Sequence, residues 1–293
     1  MGVKNIIDKK IIRCLKSIFA SDGGDYKYGI SIAAIIRDEG EYIREWLTYH
    51  KLAGIEHVYL MNNESTDGIA EIIRDFTESG FVDLIDFPGN AVQIEAYNYV
   101  IKNFKNENKY IAFIDADEFL FPMKQGEKLL DVIERIMSKD KKAGGVAVNW
   151  RVFGSSGFEK KPEGGVLESF VHRAFEDGPG NVCIKTIVNP RRVFKWYHVH
   201  YPVYMCGFYS IDENGNIVEG WQNELSEIKE LRINHYFCKS KEEWIKRRSR
   251  GRATIKDGKQ KYRTIEEFNQ HDKNDIFDDS MLYYVEMMKN VQV

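Results

Sequence analysis

Between Ile30 and Ile114, short apolar runs alternate with segments whose apolar residues recur at helical spacing, and few folds satisfy that pattern. Ile30 to Ile36 (ISIAAII), His57 to Met61 (HVYLM), Phe81 to Phe87 and Tyr110 to Ile114 (YIAFI) read as buried strands. Between them lie three helical segments. These are Glu41 to Ala53, with Tyr42, Trp46, Tyr49 and Ala53 on one side; a stretch carrying Ile69, Ile72, Ile73 and Phe76; and Val92 to Phe104. Asp67 stands where an N-cap for the second is expected. Strands alternating with helices of this length imply right-handed crossovers and a mostly parallel sheet, a Rossmann-like nucleotide-binding layer.

After Glu118 the pattern changes. Leu129 to Met137 reads as a helix, Gly145 to Val152 as a strand, and residues 154–220 as short β-like runs rich in glycine and aromatics. Leu231 to Phe237 is a late strand. Lys241 to Arg252 is a basic helix for which Ser240 is a good N-cap. We therefore expect an α/β fold over residues 26–293, its parallel sheet extended by antiparallel strands. Residues 1–25 form a leading amphipathic helix and linker. In residues 4–19 of that leader, Ile7, Ile11, Leu15, Ile18 and Phe19 recur at helical spacing among Lys9, Lys10, Arg13 and Lys16. Such a helix suits peripheral contact with an anionic membrane, or packing on protein.

The chemistry concentrates at the end of the fourth strand, in YIAFIDADEFLFP. Alternation along an extended chain puts Asp115 and Asp117 on one side and Ala116 on the other. The pair stands at the C-terminal edge of the sheet, where open α/β sheets bind ligands. Two carboxylates without nearby Cys or His form an oxygen site for a hard cation, Mn²⁺ or Mg²⁺, whose shell substrate phosphates commonly complete. A pair of turn-forming aspartates is the plainer alternative. The strand–turn context favours the metal.

Composition removes other classes. Net charge over 293 residues is only −3, which gives no reason to expect nucleic acid. Cys14, Cys183, Cys206 and Cys238 are widely spaced with no CxxC pair, which reads as reduced thiols in the cytoplasm. No apolar run reaches the roughly 20 residues of a membrane span.

Two stretches, IIRDEGEYIREWLTYHKLAGIEHVYLMNNESTDG and YIAFIDADEFLFP, resemble the nucleotide-sugar half of GT-A glycosyltransferases. With NWRVFGSSG, VLESFVHRA, KTIVNPRRV and INHYFCKSKEEWIKRRSRGRA, the chain is similar to glycosyltransferase family 92, the DUF23-like group related to family 2. The resemblance implies a GT-A fold, a UDP-sugar donor, a divalent metal and inversion at the anomeric carbon. It also suggests galactose as the sugar. By the same resemblance Arg37 and Glu39, after the first strand, contact the nucleoside. Asn62 and Asn63 end the second strand, where related enzymes often carry an acid. His235 is the expected third metal ligand.

Three further expectations come from the residues themselves. In the basic cluster of Lys239, Lys246, Arg247, Arg248, Arg250 and Arg252, Lys239 and Arg250 are favoured as phosphate clamps. His198 and His200, together with Trp150, Phe153, Trp196, Tyr197 and Trp221, belong to the half that should receive the acceptor. Glu168, after the glycine-rich loop, is the expected catalytic base, with Glu176 and Asp177 as competitors. The resemblance, with the leading amphipathic helix, implies that the acceptor is a glycan or lipid-linked sugar of cell-surface polysaccharide synthesis. The competing readings are a sugar-phosphate nucleotidyltransferase, which lacks its glycine-rich triphosphate loop here, and a non-catalytic carbohydrate-binding protein.

Overall fold

A computed structural model describes residues 13–14, 24–224, 227–248 and 263–290. Four parallel strands form its first half: β1 (Tyr28–Ile36), β2 (His57–Asn62), β3 (Val82–Asp86) and β4 (Asn108–Phe113). Helix α1 (Ile43–Leu52) crosses from β1 to β2, and α2 (Gln93–Phe104) crosses from β3 to β4. The strands read as continuous apolar runs because both faces are covered. In β1, Ile30, Ile32, Ala34 and Ile36 enter the core on one face. Ala33 joins Tyr59, Met61, Ile111 and Phe113 in the core on the other, against α2.

The second half adds β5 (Glu118–Pro122), α3 (Leu129–Met137), β6 (Ala143–Val152), the short α4 (Val166–Ser169) and β7 (Ile184–Val188). Then come β8 (Tyr209–Ile211), β9 (Ile217–Val218), β10 (Leu231–His235), α5 (Lys241–Arg248), α6 (Ile265–His271) and α7 (Leu282–Lys289). The sheet runs β9-β8-β6-β7-β4-β1-β2-β3. β7 lies antiparallel between β4 and β6. β10 pairs parallel with β6 and antiparallel with β5. The parallel layer with its antiparallel extension is the expected arrangement.

Chain order reverses between β1, which continues outward to β2, and β4, which returns to β1's other side. That reversal opens a crevice beyond the carboxyl ends of both strands.

Several local expectations are corrected. The helix through Ile69 to Phe76 breaks at Ile73 into two short pieces, Ile69–Ile72 and Arg74–Glu78. Its N-cap is Gly68 at φ +76°, a left-handed conformation suited to glycine. Asp67 instead accepts the Gly40 N–H at 2.7 Å and braces the loop after β1. β4 ends at Phe113, so Asp115 and Asp117 stand in a turn, and strand alternation no longer gives them a common face. The thiol expectation also fails for one pair, since Cys14 and Cys206 form a disulfide. Disulfides persist in oxidising compartments, so cysteine usage no longer argues for the cytoplasm. No helix among the described residues is long and apolar enough to cross a membrane. The amphipathic segment 4–19 lies outside the described residues, apart from Arg13 and Cys14.

Candidate functional site

The Asp115-Ala-Asp117 turn is held from beneath by α1. Trp46 Nε1 donates to the Glu118 carbonyl (2.8 Å), and the Tyr49 hydroxyl donates to the Leu120 carbonyl (2.5 Å). The Leu120 N–H donates to His50 Nε2 (3.3 Å). Three aromatic side chains on one helical face thus fix the strand that starts at the turn's far end. Sequence periodicity shows why they share that face.

From this anchored turn the two carboxylates go to different partners. Asp115 Oδ1 accepts from Gln93 Nε2 (2.8 Å), with the Tyr97 hydroxyl at 3.5 Å, and its Oδ2 accepts from Lys185 Nζ (2.9 Å). Lys185 is fully buried, and its Nζ lies 3.8 Å from Glu118 Oε1. Burial opposes its charge, but Asp115 and then Glu118 outweigh this and raise its pKa. Glu118 Oε2 accepts the Asp115 N–H (3.0 Å). Burial, with Asp115 and Asp117 adding to it against Lys185, pushes the Glu118 carboxyl well above the usual range.

Asp117 meets the other end of the chain. The end of β10 pairs with the start of β5, so His235 lies opposite Glu118, and the Tyr236 N–H donates to the Asp117 carbonyl (2.9 Å). Arg247 Nη2, from α5, donates to Asp117 Oδ2 (2.7 Å), and His235 Nε2 stands 3.6 Å from Oδ1. Burial alone would raise the Asp117 carboxyl. Arg247 first, then His235, more than reverse that and hold it well below the ordinary value. Burial lowers the His235 imidazole despite Asp117, and its Nδ1 is buried without a hydrogen-bond partner. Deprotonated carboxylate and neutral imidazole therefore stand side by side.

That pair fits a hard divalent cation chemically, since such ions need few protein ligands when phosphates complete the shell. No group of three or more His, Cys, Asp or Glu side chains converges as a ligand set among the described residues. Asp115 spends its two oxygens on Gln93 and Lys185.

Beside Asp117 opens a small pocket, continuous with solvent, lined by Asp38, Glu39, Tyr42, Lys239, Lys246 and Arg247 among others. Lys239 Nζ lies over the Tyr42 ring (4.3 Å to the centroid) and 4.0 Å from Glu39 Oε2. Asp38 and Lys239 both hold positive φ (+54° and +51°), a strained conformation for residues with a Cβ. Ser240 caps α5 as read from sequence, exchanging hydrogen bonds with Glu243 in a capping box.

Other expected site residues fall elsewhere. Arg37 is exposed at the end of β1. Asn62 donates to Asp86 Oδ1 (3.1 Å) and accepts the Ser65 N–H; Asn63 spends its amide hydrogens on the carbonyls of Phe87 and Gly89. These bonds tie β2 to the turn after β3. Arg250 and Arg252 lie outside the described residues. Glu168, exposed on α4, accepts the Gly165 N–H (3.1 Å). Glu176 binds Arg151 (2.5 Å) and Arg173 (2.9 Å).

Phe153 and Trp196 are core residues, whereas Tyr197 and Trp221 are exposed. Trp150 packs against His235 (4.2 Å between centroids) and His200 (5.2 Å). His198 and His200 do come together (5.2 Å). Burial, then Lys185, pushes His200 down to about 3.

The sequence reading missed Lys185 and gave Arg247 no special place. A lone cation in the apolar run Ile184–Val188 was a usable signal, because a lysine inside a buried strand requires a carboxylate.

Comparison with known proteins gives the family. The profile of glycosyltransferase family 92 matches residues 26–271. A family 92 protein of Oryza sativa subsp. japonica is 26% identical over 176 residues, covering 59% of this chain and 30% of its own. One from Ricinus communis is 24% identical over 151 residues, covering 51% and 27%. The matches thus span less than a third of those relatives. Among solved structures, S. aureus TarS 1-349 in complex with UDP is similar at 14% identity with a TM-score of 0.36, over 55% of this chain and 47% of that fragment. The match of that profile across most of the sequence establishes that the chain belongs to glycosyltransferase family 92.

Proposed function

We propose that this glycosyltransferase takes its sugar from a UDP-sugar, assisted by Mn²⁺ or Mg²⁺, and transfers it with inversion to a glycan or lipid-linked acceptor. The observation that carries the reading is the meeting of Asp117, His235, Arg247 and Lys239 beside one open cavity at the crevice of the sheet. Asp117 and His235 would hold the cation, which when bound would neutralise charge on the departing diphosphate. Lys239 and Arg247 supply fixed positive charge in the same place. Asp115, locked by Gln93 and Lys185, keeps the turn in register.

On the acceptor side, exposed Trp221 and Tyr197 offer apolar faces for a sugar ring. Glu168 is proposed as the base that takes the acceptor's proton. Galactose as the transferred sugar, and cell-surface polysaccharide as its destination, follow from family likeness. Peripheral membrane contact through residues 4–19 rests on their amphipathic spacing.

Release of UDP from UDP-, GDP- and CMP-sugars, with and without Mn²⁺, tests the donor. We expect turnover with a UDP-sugar and dependence on Mn²⁺. Preference for a GDP- or CMP-sugar, or full activity in chelator, would contradict the reading.

A further inference from the structure

We propose that Arg247 is an exchange cation: it occupies Asp117 while the donor site is empty, and re-pairs with the nucleoside diphosphate when a divalent cation takes Asp117. The proposal rests on the metal-assisted reading above and goes beyond it by assigning one residue two partners.

Arg247 is held as an exchangeable group would be. One guanidinium nitrogen bonds one carboxylate oxygen, Nη2 to Asp117 Oδ2 at 2.7 Å, rather than gripping the carboxylate with both prongs. Its Nη1 makes only a long contact with the Phe237 carbonyl, 3.4 Å. The side chain is about a quarter exposed, while Asp117 is buried. The same guanidinium lines the open cavity together with Lys239 and Lys246.

Charge then decides the order of events. A divalent ion on Asp117 would share that carboxylate with a full positive charge in a poorly screened place, so the two cations compete. His235 stands on the other carboxylate oxygen, its Nε2 3.6 Å from Asp117 Oδ1, and leaves the Oδ2 side to Arg247. Once displaced, Arg247 needs an anion. A diphosphate in the adjoining cavity provides oxygens that match a guanidinium fork. Donor and metal would therefore bind cooperatively, each supplying what the other displaces.

The test measures Mn²⁺ binding to the full chain by electron paramagnetic resonance, without nucleotide, in wild type and Arg247→Gln. It also measures UDP binding by calorimetry at saturating Mn²⁺. In the variant we expect Mn²⁺ alone to bind about tenfold or more tightly, and UDP to bind about tenfold or more weakly, the worth of one charge-assisted hydrogen bond. An unchanged value in either measurement overturns the exchange. If Arg247→Gln fails to fold, Arg247→Met, which also removes the charge but keeps the stem's bulk, must show the same two shifts, and their absence counts equally against it. Wild-type protein that binds UDP normally yet takes up no Mn²⁺ would instead sink the metal reading itself.

Discussion

Acidification should weaken the clamp beneath the Asp115–Asp117 turn, and His50 sets the size of the effect. Its ring is fully buried among Trp46, Tyr49 and Phe119. Nε2 accepts the Leu120 N–H, so the neutral ring carries its proton on Nδ1 and donates it to the Trp46 carbonyl, 2.9 Å away. A second proton would oppose two N–H groups. Burial accordingly pushes His50 down to about 3, against the hydrogen bond to Trp46.

An unfolded histidine titrates near 6.5, so between those values the unfolded chain binds more protons than the native one. Stability from this group is complete above about pH 6.5 and falls as pH drops toward 3, by up to about 1.4 kcal/mol per unit. From pH 6.5 to 4.5 the loss is about 2 kcal/mol. His57, His198, His200 and His235 are lowered too, so the whole protein loses more. His50→Gln isolates the single contribution, because glutamine can still accept from Leu120 but does not titrate. Urea unfolding followed by tryptophan fluorescence gives the comparison. Wild type should lose about 2 kcal/mol more than the variant across that range. Parallel pH profiles would refute a buried, neutral His50.

Three other perturbations have definite outcomes. Lys185→Met strips Asp115 and Glu118 of their buried cation and should cost about 3–5 kcal/mol in urea unfolding at pH 7; a loss under about 1 kcal/mol would contradict the assignment. Asp278 accepts from Arg173 Nε (2.7 Å) and Arg232 Nη2 (2.8 Å), where burial raises its carboxyl and Arg232 and Arg173 more than offset that. Asp278→Asn should cost a similar amount at pH 7. That cost should begin to shrink as pH falls below about 4, where the unfolded carboxyl protonates first, and vanish only once the lowered native carboxyl is protonated too; a pH-independent cost would count against the pairing. Glu168→Gln keeps an acceptor for the Gly165 N–H but removes a base, so transfer should fall about 10²-fold with UDP affinity and stability unchanged. Near-wild-type transfer would leave Glu168 as a helix cap alone.

What the sequence disclosed divides by distance along the chain. The parallel layer was legible because β1, β2 and β4 are buried on both faces and say so in Ile, Val, Ala and Phe. The Ser240–Glu243 box was legible because its partners are three residues apart. The assignments around the aspartates were not, because they are made by pairings between remote segments. Lys185 reaches Asp115 across 70 residues through an antiparallel strand inserted beside β4. Arg247 reaches Asp117 across 130, through the meeting of β10 with β5. Cys14 and Cys206, 192 apart, look like isolated thiols until the fold joins them. Asn62 and Asn63 are placed at the donor by resemblance alone, and the bonds that tie their amides to Asp86, Phe87 and Gly89 come from β3 and the turn after it, some 24 residues on.

The central claim is that a divalent cation and UDP meet at Asp117. Calorimetric titration of UDP into wild type and Asp117→Asn, each with Mn²⁺ and with chelator, tests it most directly. Asparagine preserves the side chain's size while removing the charge that faces Arg247 and His235. We expect UDP to bind wild type at least about tenfold more tightly with Mn²⁺ than without, and the variant to lose that difference. UDP binding that stays metal-dependent in Asp117→Asn, or that never depended on metal in wild type, would contradict the account.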